Sequence, residues 1–144
     1  MDIDAPEFMA YFLDFSVVVT GFSRVHLLGT GQASLYFDTV RSIVGGDIFE
    51  ELLQTFHDQG ADAVLESGKF GPIARNILKL WYIATWEQLT PEWQERFGAR
   101  LNDSTFIASP YAYTEGLVWT AIGVNPPAAK APGYGSWSYP PSLT

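Results

Sequence analysis

Apolar residues recur at helical spacing in the first part of this chain, between prolines and glycines that mark helix ends. The pattern is clearest in residues 6–20, where Pro6 suits a first-turn position and Gly21 suits the end of a helix. The apolar side chains at i, i+3, i+4, i+7 and i+11 are Phe8, Tyr11, Phe12, Phe15 and Val19. One amphipathic helix over 6–20 is therefore predicted, and with it a mainly α fold.

The next helices are predicted from their end signals. A short connection through 27–29 leads to a helix over about 32–44, which a glycine pair closes. Asp47 then has the position of an N-cap, and Glu50 three residues later completes a capping-box pattern. The helix that follows is expected to end at Gly60.

The strongest helix pattern covers about 72–88 and contains an aromatic run from Trp81 to Trp86. On a continuous helix these two tryptophans lie about 140° apart, at 100° per residue, so one of them is expected to face outward. Tyr82 precedes Trp86 by four residues and lies on its side of the helix. Core packing and an aromatic contact surface both fit this run.

Three further helical segments are weaker. Residues 62–66 favour a short helix, and Thr90 followed by Pro91 has the pattern of an N-cap and first turn for a helix that stops at Gly98. A last helix or helical turn is predicted near 111–122, after Ser-Pro. The predicted domain is therefore a small irregular helical unit over 1–123.

Residues 124–144 differ in composition from the rest of the chain. They contain five prolines, one charged side chain at Lys130, and the aromatic residues Tyr134, Trp137 and Tyr139. This proline density excludes regular structure, and the aromatic content is unusual for a disordered linker. We predict an extended C-terminal docking arm that lies either on its own domain or, more in keeping with the limited core, on another chain.

Composition narrows the class of function. The chain has 10 Phe, 7 Tyr and 5 Trp in 144 residues, and a small domain has little interior for five tryptophans. Some are therefore expected at an interface, where Trp and Tyr carry much of the binding energy. The net charge of −8 argues against a nucleic-acid binder, which needs clustered basic residues. The longest apolar runs are too short to span a membrane.

The sequence contains no pattern that indicates catalysis. Without cysteine there is no thiolate metal site and no disulfide framework, and His26 and His57 stand apart without metal-ligand spacing. No nucleophile elbow or phosphate loop occurs. The acidic N-terminus does not resemble a signal peptide. We therefore predict no catalytic, metal or cofactor-binding residue in this chain, which is expected not to be an enzyme on its own.

Three sequence elements follow one another in the second half of the chain. The stretch from Ile77 to Trp86 reads ILKLWYIATW, the stretch over 113–123 reads YTEGLVWTAIG, and the stretch over 132–137 reads PGYGSW. Together with Phe8-Met9, Ser16 and Val19-Thr20-Gly21, they resemble the small subunit of membrane-associated FAD-dependent sugar and polyol dehydrogenases. This is the sorbitol dehydrogenase small-subunit family, related to the small subunits of gluconate, fructose and glucose dehydrogenases.

The resemblance implies a helical, non-catalytic accessory subunit. Such a subunit binds, stabilises and escorts for export a large catalytic subunit of the glucose-methanol-choline type, which holds the FAD. A cytochrome c subunit often accompanies the pair. The location implied is the periplasm or the periplasmic face of the inner membrane if a signal was removed; with no signal visible, the alternative is the cytoplasm.

The residues expected to bind the partner are aromatic residues and one proline from these elements. They are Trp81, Tyr82, Trp86, Tyr113, Trp119, Pro132, Tyr134, Trp137 and Tyr139. The alternative function is a carbohydrate-binding module that stacks exposed aromatic rings on sugars. Such modules are usually β-sandwiches, whose alternating strands this sequence lacks.

Overall fold

A computed structural model describes residues 3, 5–98, 103–109, 112, 115–117 and 121. Over these residues the fold is mainly helical, as predicted, with one two-stranded antiparallel sheet. The helices are α1 Pro6–Thr20, α2 Arg24–Gly29, α3 Ala33–Val44, α4 Gly46–Gln59, α5 Ala61–Leu65, α6 Gly71–Ile83 and α7 Pro91–Phe97. Strand β1 Thr85–Trp86 pairs with β2 Phe106–Ile107, so that Thr85 lies opposite Ile107.

Helix α1 has the bounds that its apolar spacing predicts. Pro6 occupies the first turn, and Gly21 ends the helix in the left-handed conformation at φ 77°. The Gly21 amide donates to the Val17 carbonyl at 2.9 Å, which satisfies a carbonyl that the helix end would otherwise leave unpaired. Helix α1 therefore ends at a defined residue, Gly21, where the chain reverses toward α2.

Two helix starts differ from the prediction. The segment expected to be a connection forms α2, whose N-cap Ser23 accepts a hydrogen bond from the His26 amide at 3.1 Å. Helix α4 begins at Gly46 with Gly45 at its N-cap, so the predicted Asp47 cap is wrong. Gly45 has a φ of 91°, which lets α3 pass into α4 through a single residue and leaves no room for a separate capping box.

Helix α6 ends earlier than its apolar pattern indicates. It stops at Ile83 because Ala84 adopts a left-handed conformation at φ 53°. The buried Asn76 amide holds the segment beyond it: its Nδ2 donates to the Glu87 carbonyl at 2.9 Å, and its Oδ1 accepts from the Glu87 amide at 3.0 Å. These two hydrogen bonds resemble those between paired β-strands. They hold the chain beyond Ala84 against α6, where the sequence predicts a helix that continues to 88.

The core lies between α1, α3, α4 and α6. Phe12 is its centre, with no solvent exposure and ring contacts to Phe37, Phe49 and Trp81 at 5.6 to 6.2 Å between centroids. Burying such a side chain stabilises a fold by about 1.5–3 kcal/mol. Edge-to-face packing adds to this, so the aromatic residues of α1 form much of the interior.

The predicted last helix and the arm lie largely or wholly outside the described residues. Within the described part, the Ala112 amide donates to the Ser109 hydroxyl at 2.9 Å, and Ala112 and Leu117 belong to the core. The division between 1–123 and 124–144 therefore stays a prediction. None of the helices in the described ranges is long and apolar enough to cross a bilayer.

Candidate partner-binding surface

The indole of Trp81 lies inside the core rather than on a surface. Its relative exposure is 1 %, and its Nε1 donates to the Ser16 hydroxyl at 2.9 Å. The Ser16 hydroxyl in turn donates to the Phe12 carbonyl of its own helix at 2.7 Å. Tyr36 packs edge-on against the ring at 4.9 Å. Trp81 therefore joins α6 to α1 and α3, with no indole surface left for a partner.

Trp86 is buried as well, so the expectation that one of the two tryptophans faces outward is wrong. The 140° separation assumed one continuous helix, whereas Ala84 ends α6 between them and Trp86 lies in β1. The Trp86 Nε1 donates to Asp103 Oδ1 at 2.9 Å. Trp86 is fully buried, as Trp81 nearly is, and both side chains pack and donate hydrogen bonds within the fold. Their partner-binding role stays a prediction.

Asp103 accepts hydrogen bonds from three residues of the chain around Trp86. Its Oδ1 also accepts from the Leu89 amide at 3.2 Å, and its Oδ2 accepts from Gln94 Nε2 at 2.9 Å. The carboxylate is only 6 % exposed and connects β1, the following turn and α7. Three donors to one carboxylate offset much of the cost of burying its charge. Trp93 is the third buried tryptophan among the described residues, and its Nε1 donates to the Lys69 carbonyl at 2.8 Å.

Tyr82 is the described partner-binding candidate that retains some exposure. Its hydroxyl donates to the Thr20 carbonyl at 3.0 Å, at the end of α1. Its ring contacts Phe22 at 6.0 Å, and Phe22 contacts His26 at 4.8 Å. All three rings are half-buried, and together they form an aromatic cluster at the turn between α1 and α2, which we call the Tyr82 cluster.

The other predicted contact residues fall outside the described residues. They are Tyr113, Trp119, Pro132, Tyr134, Trp137 and Tyr139. Their partner-binding role stays a prediction.

Helices α1 and α2 expose three aliphatic side chains that the sequence did not single out as contact residues. They are Val18 on α1 and Val25 and Leu28 on α2, which are 56 %, 80 % and 49 % exposed, and we call these three residues the α1–α2 apolar surface. Arg24 on α2 also forms an ion pair with Asp14 on α1, at 2.7 Å between Nη1 and Oδ1. Covering aliphatic side chains of this kind with another apolar surface removes them from water, which favours binding.

The sequence pattern that belongs to α2 covers only six residues, Arg24–Gly29. Ser23 precedes an apolar group in which Leu27 is buried while Val25 and Leu28 point away from the core. Six residues are too few for a periodicity to reveal a helix, which is why the segment reads as a connection.

Two buried polar atoms lack a hydrogen-bond partner among the described residues, the Tyr36 hydroxyl and Glu50 Oε1. Burial, together with the nearby negative charge of Glu115, raises the pKa of Tyr36 well above its ordinary value of 10.0. Tyr36 therefore stays neutral at physiological pH.

The histidines have packing roles in the described structure. His57 stacks on Tyr11 at 4.2 Å with the rings 15° from parallel, joining α4 to α1. His26 lies in the Tyr82 cluster on α2. Within the described ranges, no three His, Asp or Glu side chains are grouped so that they could hold a metal ion. The described residues do offer exposed aliphatic side chains on α1 and α2 and the half-buried rings of the Tyr82 cluster.

Comparison of the chain with protein-family models, curated proteins and solved structures finds no match.

Proposed function

We propose that this chain is the non-catalytic small subunit of an FAD-dependent sugar or polyol dehydrogenase. It binds and stabilises a large catalytic subunit of the glucose-methanol-choline type, which carries the FAD. The observation that carries the proposal is the ordered set of motifs ILKLWYIATW, YTEGLVWTAIG and PGYGSW, which resembles the small subunits of such enzymes. The α1–α2 apolar surface supports it, because a subunit of this kind needs an exposed apolar area for its partner.

The proposal extends to export and electron transfer. A subunit that stabilises a folded flavoprotein would escort it to the periplasm, where a cytochrome c subunit would accept electrons. In cells that lack this chain, the flavoprotein is then expected to stay in the cytoplasmic fraction. Fractionation and immunoblotting of the catalytic subunit measure this, with a resident periplasmic protein as the control.

The alternative, a carbohydrate-binding module, receives less support from the described residues. Sugar stacking needs exposed aromatic faces, whereas Trp81, Trp86 and Trp93 are all buried with their indole N–H groups paired inside the fold. The helical fold also differs from the β-sandwich usual for such modules.

Co-purification from the native source tests the proposed function. The chain carries an affinity tag, and the eluate is examined for a larger subunit with flavin absorbance. We expect a flavoprotein to elute with the wild-type chain and to be lost with Trp119→Ala combined with Trp137→Ala. Leu65→Ala is the matched control, because Leu65 is an exposed apolar residue on α5 that is not among the predicted contact residues.

Circular dichroism of each purified variant establishes that it is folded. The proposal is refuted if the folded wild-type chain elutes as a monomer and brings no flavoprotein from cells that contain one. It is also refuted if the larger protein that elutes carries no flavin.

A further inference from the structure

Helix α4 lies in a part of the chain that is acidic and has no basic residues of its own. Residues 42–68 contain six Asp or Glu and neither lysine nor arginine. On the N-terminal side of this segment, Arg41 pairs with Asp38 at 3.7 Å. On its C-terminal side, Lys69 pairs with Glu51 at 3.3 Å. The segment therefore carries an excess of negative charge that a basic partner would balance.

Three of these carboxylates form one stripe along α4, and all three are exposed. Asp47, Glu51 and Asp58 follow one another at i, i+4 and i+11, which places them within about 40° of each other at 100° per residue. Gln54 lies between them on the same face, and its Nε2 donates to Asp58 Oδ1 at 3.1 Å. We call Asp47, Glu51 and Asp58 the α4 acidic stripe, which is about 17 Å long at 1.5 Å per residue.

Glu50 adjoins this stripe but is buried. It follows Asp47 by three residues and precedes Gln54 by four, the spacings at which helical side chains are neighbours. Glu50 is 8 % exposed, and its Oε1 has no hydrogen-bond partner among the described residues. The Cα–Cβ bonds of a helix tilt toward its N-terminus, so the Glu50 side chain extends toward the turn of Gly46 and Asp47. An unpaired carboxyl oxygen therefore lies beside the first turn of the stripe.

The cover of that turn explains why the oxygen has no donor. Ile3 packs over Gly46, with its Cγ2 3.0 Å from where a Cβ on that glycine would lie. An aliphatic side chain offers no hydrogen bond. Burying a carboxyl oxygen without a donor is unfavourable, and a ligand that brings a donor recovers that free energy on binding.

Lysine and arginine side chains fit this arrangement best. Each has an apolar stem that can lie along Ile3 and a cationic head that donates hydrogen bonds to carboxyl oxygens. A metal ion fits less well, because within the described ranges no three His, Asp or Glu side chains are grouped to hold one. The negative stripe would also repel the phosphates of a nucleic acid.

We propose that Glu50 and the α4 acidic stripe bind lysine and arginine side chains of the catalytic subunit. This rests on the proposed function and adds the charge of the surface that the larger subunit presents to this chain. One basic side chain reaches Glu50 past Asp47, and others pair with the exposed carboxylates further along the stripe. Charges arranged in this way speed the encounter of the two subunits and fix their orientation.

Glu50→Gln in the tagged full-length chain tests the buried part of the site. The amide keeps the shape of the side chain and removes the charge that a basic group would pair with. The flavoprotein retained by the chain is measured by its flavin absorbance at increasing NaCl concentration. We expect roughly ten-fold weaker retention. Thermal unfolding followed by circular dichroism should show a Tm no lower than that of the wild type, because no hydrogen bond to Oε1 is lost. A lower Tm together with weaker retention would mean that Glu50 is structural.

A triple variant tests the exposed part of the site. It replaces the three carboxylates of the α4 acidic stripe by amides, combining Asp47→Asn, Glu51→Gln and Asp58→Asn. The matched control replaces three exposed carboxylates on α1 and α7 and changes the net charge equally, from −8 to −5. It combines Glu7→Gln, Glu92→Gln and Glu95→Gln. We expect the stripe variant to release the flavoprotein at lower NaCl concentration and the control to behave as the wild type.

The outcomes separate this inference from the proposed function. If the flavoprotein elutes equally with the wild type and with every variant, the proposed function stands and the inference is overturned. If the stripe variant and its control weaken retention equally, net charge acts without this surface, which also overturns it. A wild-type chain that brings no flavoprotein would refute the proposed function, and the inference with it.

Discussion

Asp103→Ala tests the hydrogen bonds that hold the corner of the chain after α6. It deletes one carboxylate that accepts hydrogen bonds from Trp86 Nε1, the Leu89 amide and Gln94 Nε2. Trp86 and Leu89 are buried, so water cannot replace the lost acceptor at either donor without opening the fold. The change thus leaves two buried donors unpaired around the corner that follows α6.

The magnitude follows from those two donors. Each buried donor left without an acceptor costs about 1–3 kcal/mol, and removing the buried carboxylate relieves part of that by ending its own desolvation. We expect a net loss of about 2–4 kcal/mol in the free energy of unfolding. That is a large share of the roughly 5–15 kcal/mol by which domains are stable, and it lowers Tm by roughly 10 °C.

Two further variants separate this effect from general damage to the loop. Asp103→Asn keeps an acceptor oxygen for Trp86 and Leu89 and loses only the one for Gln94, so about 1–2 kcal/mol is expected. Thr105→Ala removes the acceptor of an exposed amide, which water replaces, and should cost under about 1 kcal/mol. Urea unfolding followed by tryptophan fluorescence measures all three. If Asp103→Ala costs no more than Thr105→Ala, the carboxylate does not hold the corner and the reasoning fails.

Two other predictions concern close packing and pH. Gly71→Ala places a Cβ 2.8 Å from the Leu65 carbonyl oxygen and should lower the free energy of unfolding by about 1–3 kcal/mol, as urea unfolding measures. Gly68→Ala is the control, because a Cβ there meets open space and should have little effect. Similar values for both variants would contradict the predicted clash. Burial raises the pKa of Tyr36 above its unfolded value of about 10, so the folded state holds this proton more tightly than the unfolded state. The free energy of unfolding should therefore be unaffected by this group below about pH 10. Above pH 10 it should fall by up to about 1.4 kcal/mol per pH unit. Tyr36→Phe should remove this alkaline loss, which urea unfolding on either side of pH 10 measures; an unchanged pH dependence would contradict it.

Local signals in the sequence predict the helices whose ends are made locally. Helix α1 follows from its apolar spacing and from Gly21, and α7 begins where Thr90 accepts a hydrogen bond from the Trp93 amide at 3.2 Å, as its N-cap pattern indicates. Helix α4 shows the limit of such signals, because Asp47 and Glu50 form a plausible capping box that the glycine junction makes unnecessary. The backbone conformation of Gly45, and not the capping-box pattern, sets where α4 begins.

The end of α6 could not be predicted because its cause lies far away in the sequence. Asn76 pairs with the backbone of Glu87, eleven residues later, and no periodicity contains that information. The same holds for Trp86, whose acceptor Asp103 lies beyond α7. The inward position of both tryptophans therefore depends on tertiary hydrogen bonds that sequence spacing cannot reveal.

These positions change how binding experiments on this chain should be interpreted. Trp81 and Trp86 are the most distinctive residues of the ILKLWYIATW motif, yet each is buried and hydrogen-bonded within its own fold. Replacing either one would disturb the fold and so lower any measured binding, without direct contact between that residue and a ligand. Loss of binding in such a variant consequently cannot locate an interface. Substitutions at Val25 and Leu28 can, because both side chains are exposed and their removal leaves the core intact.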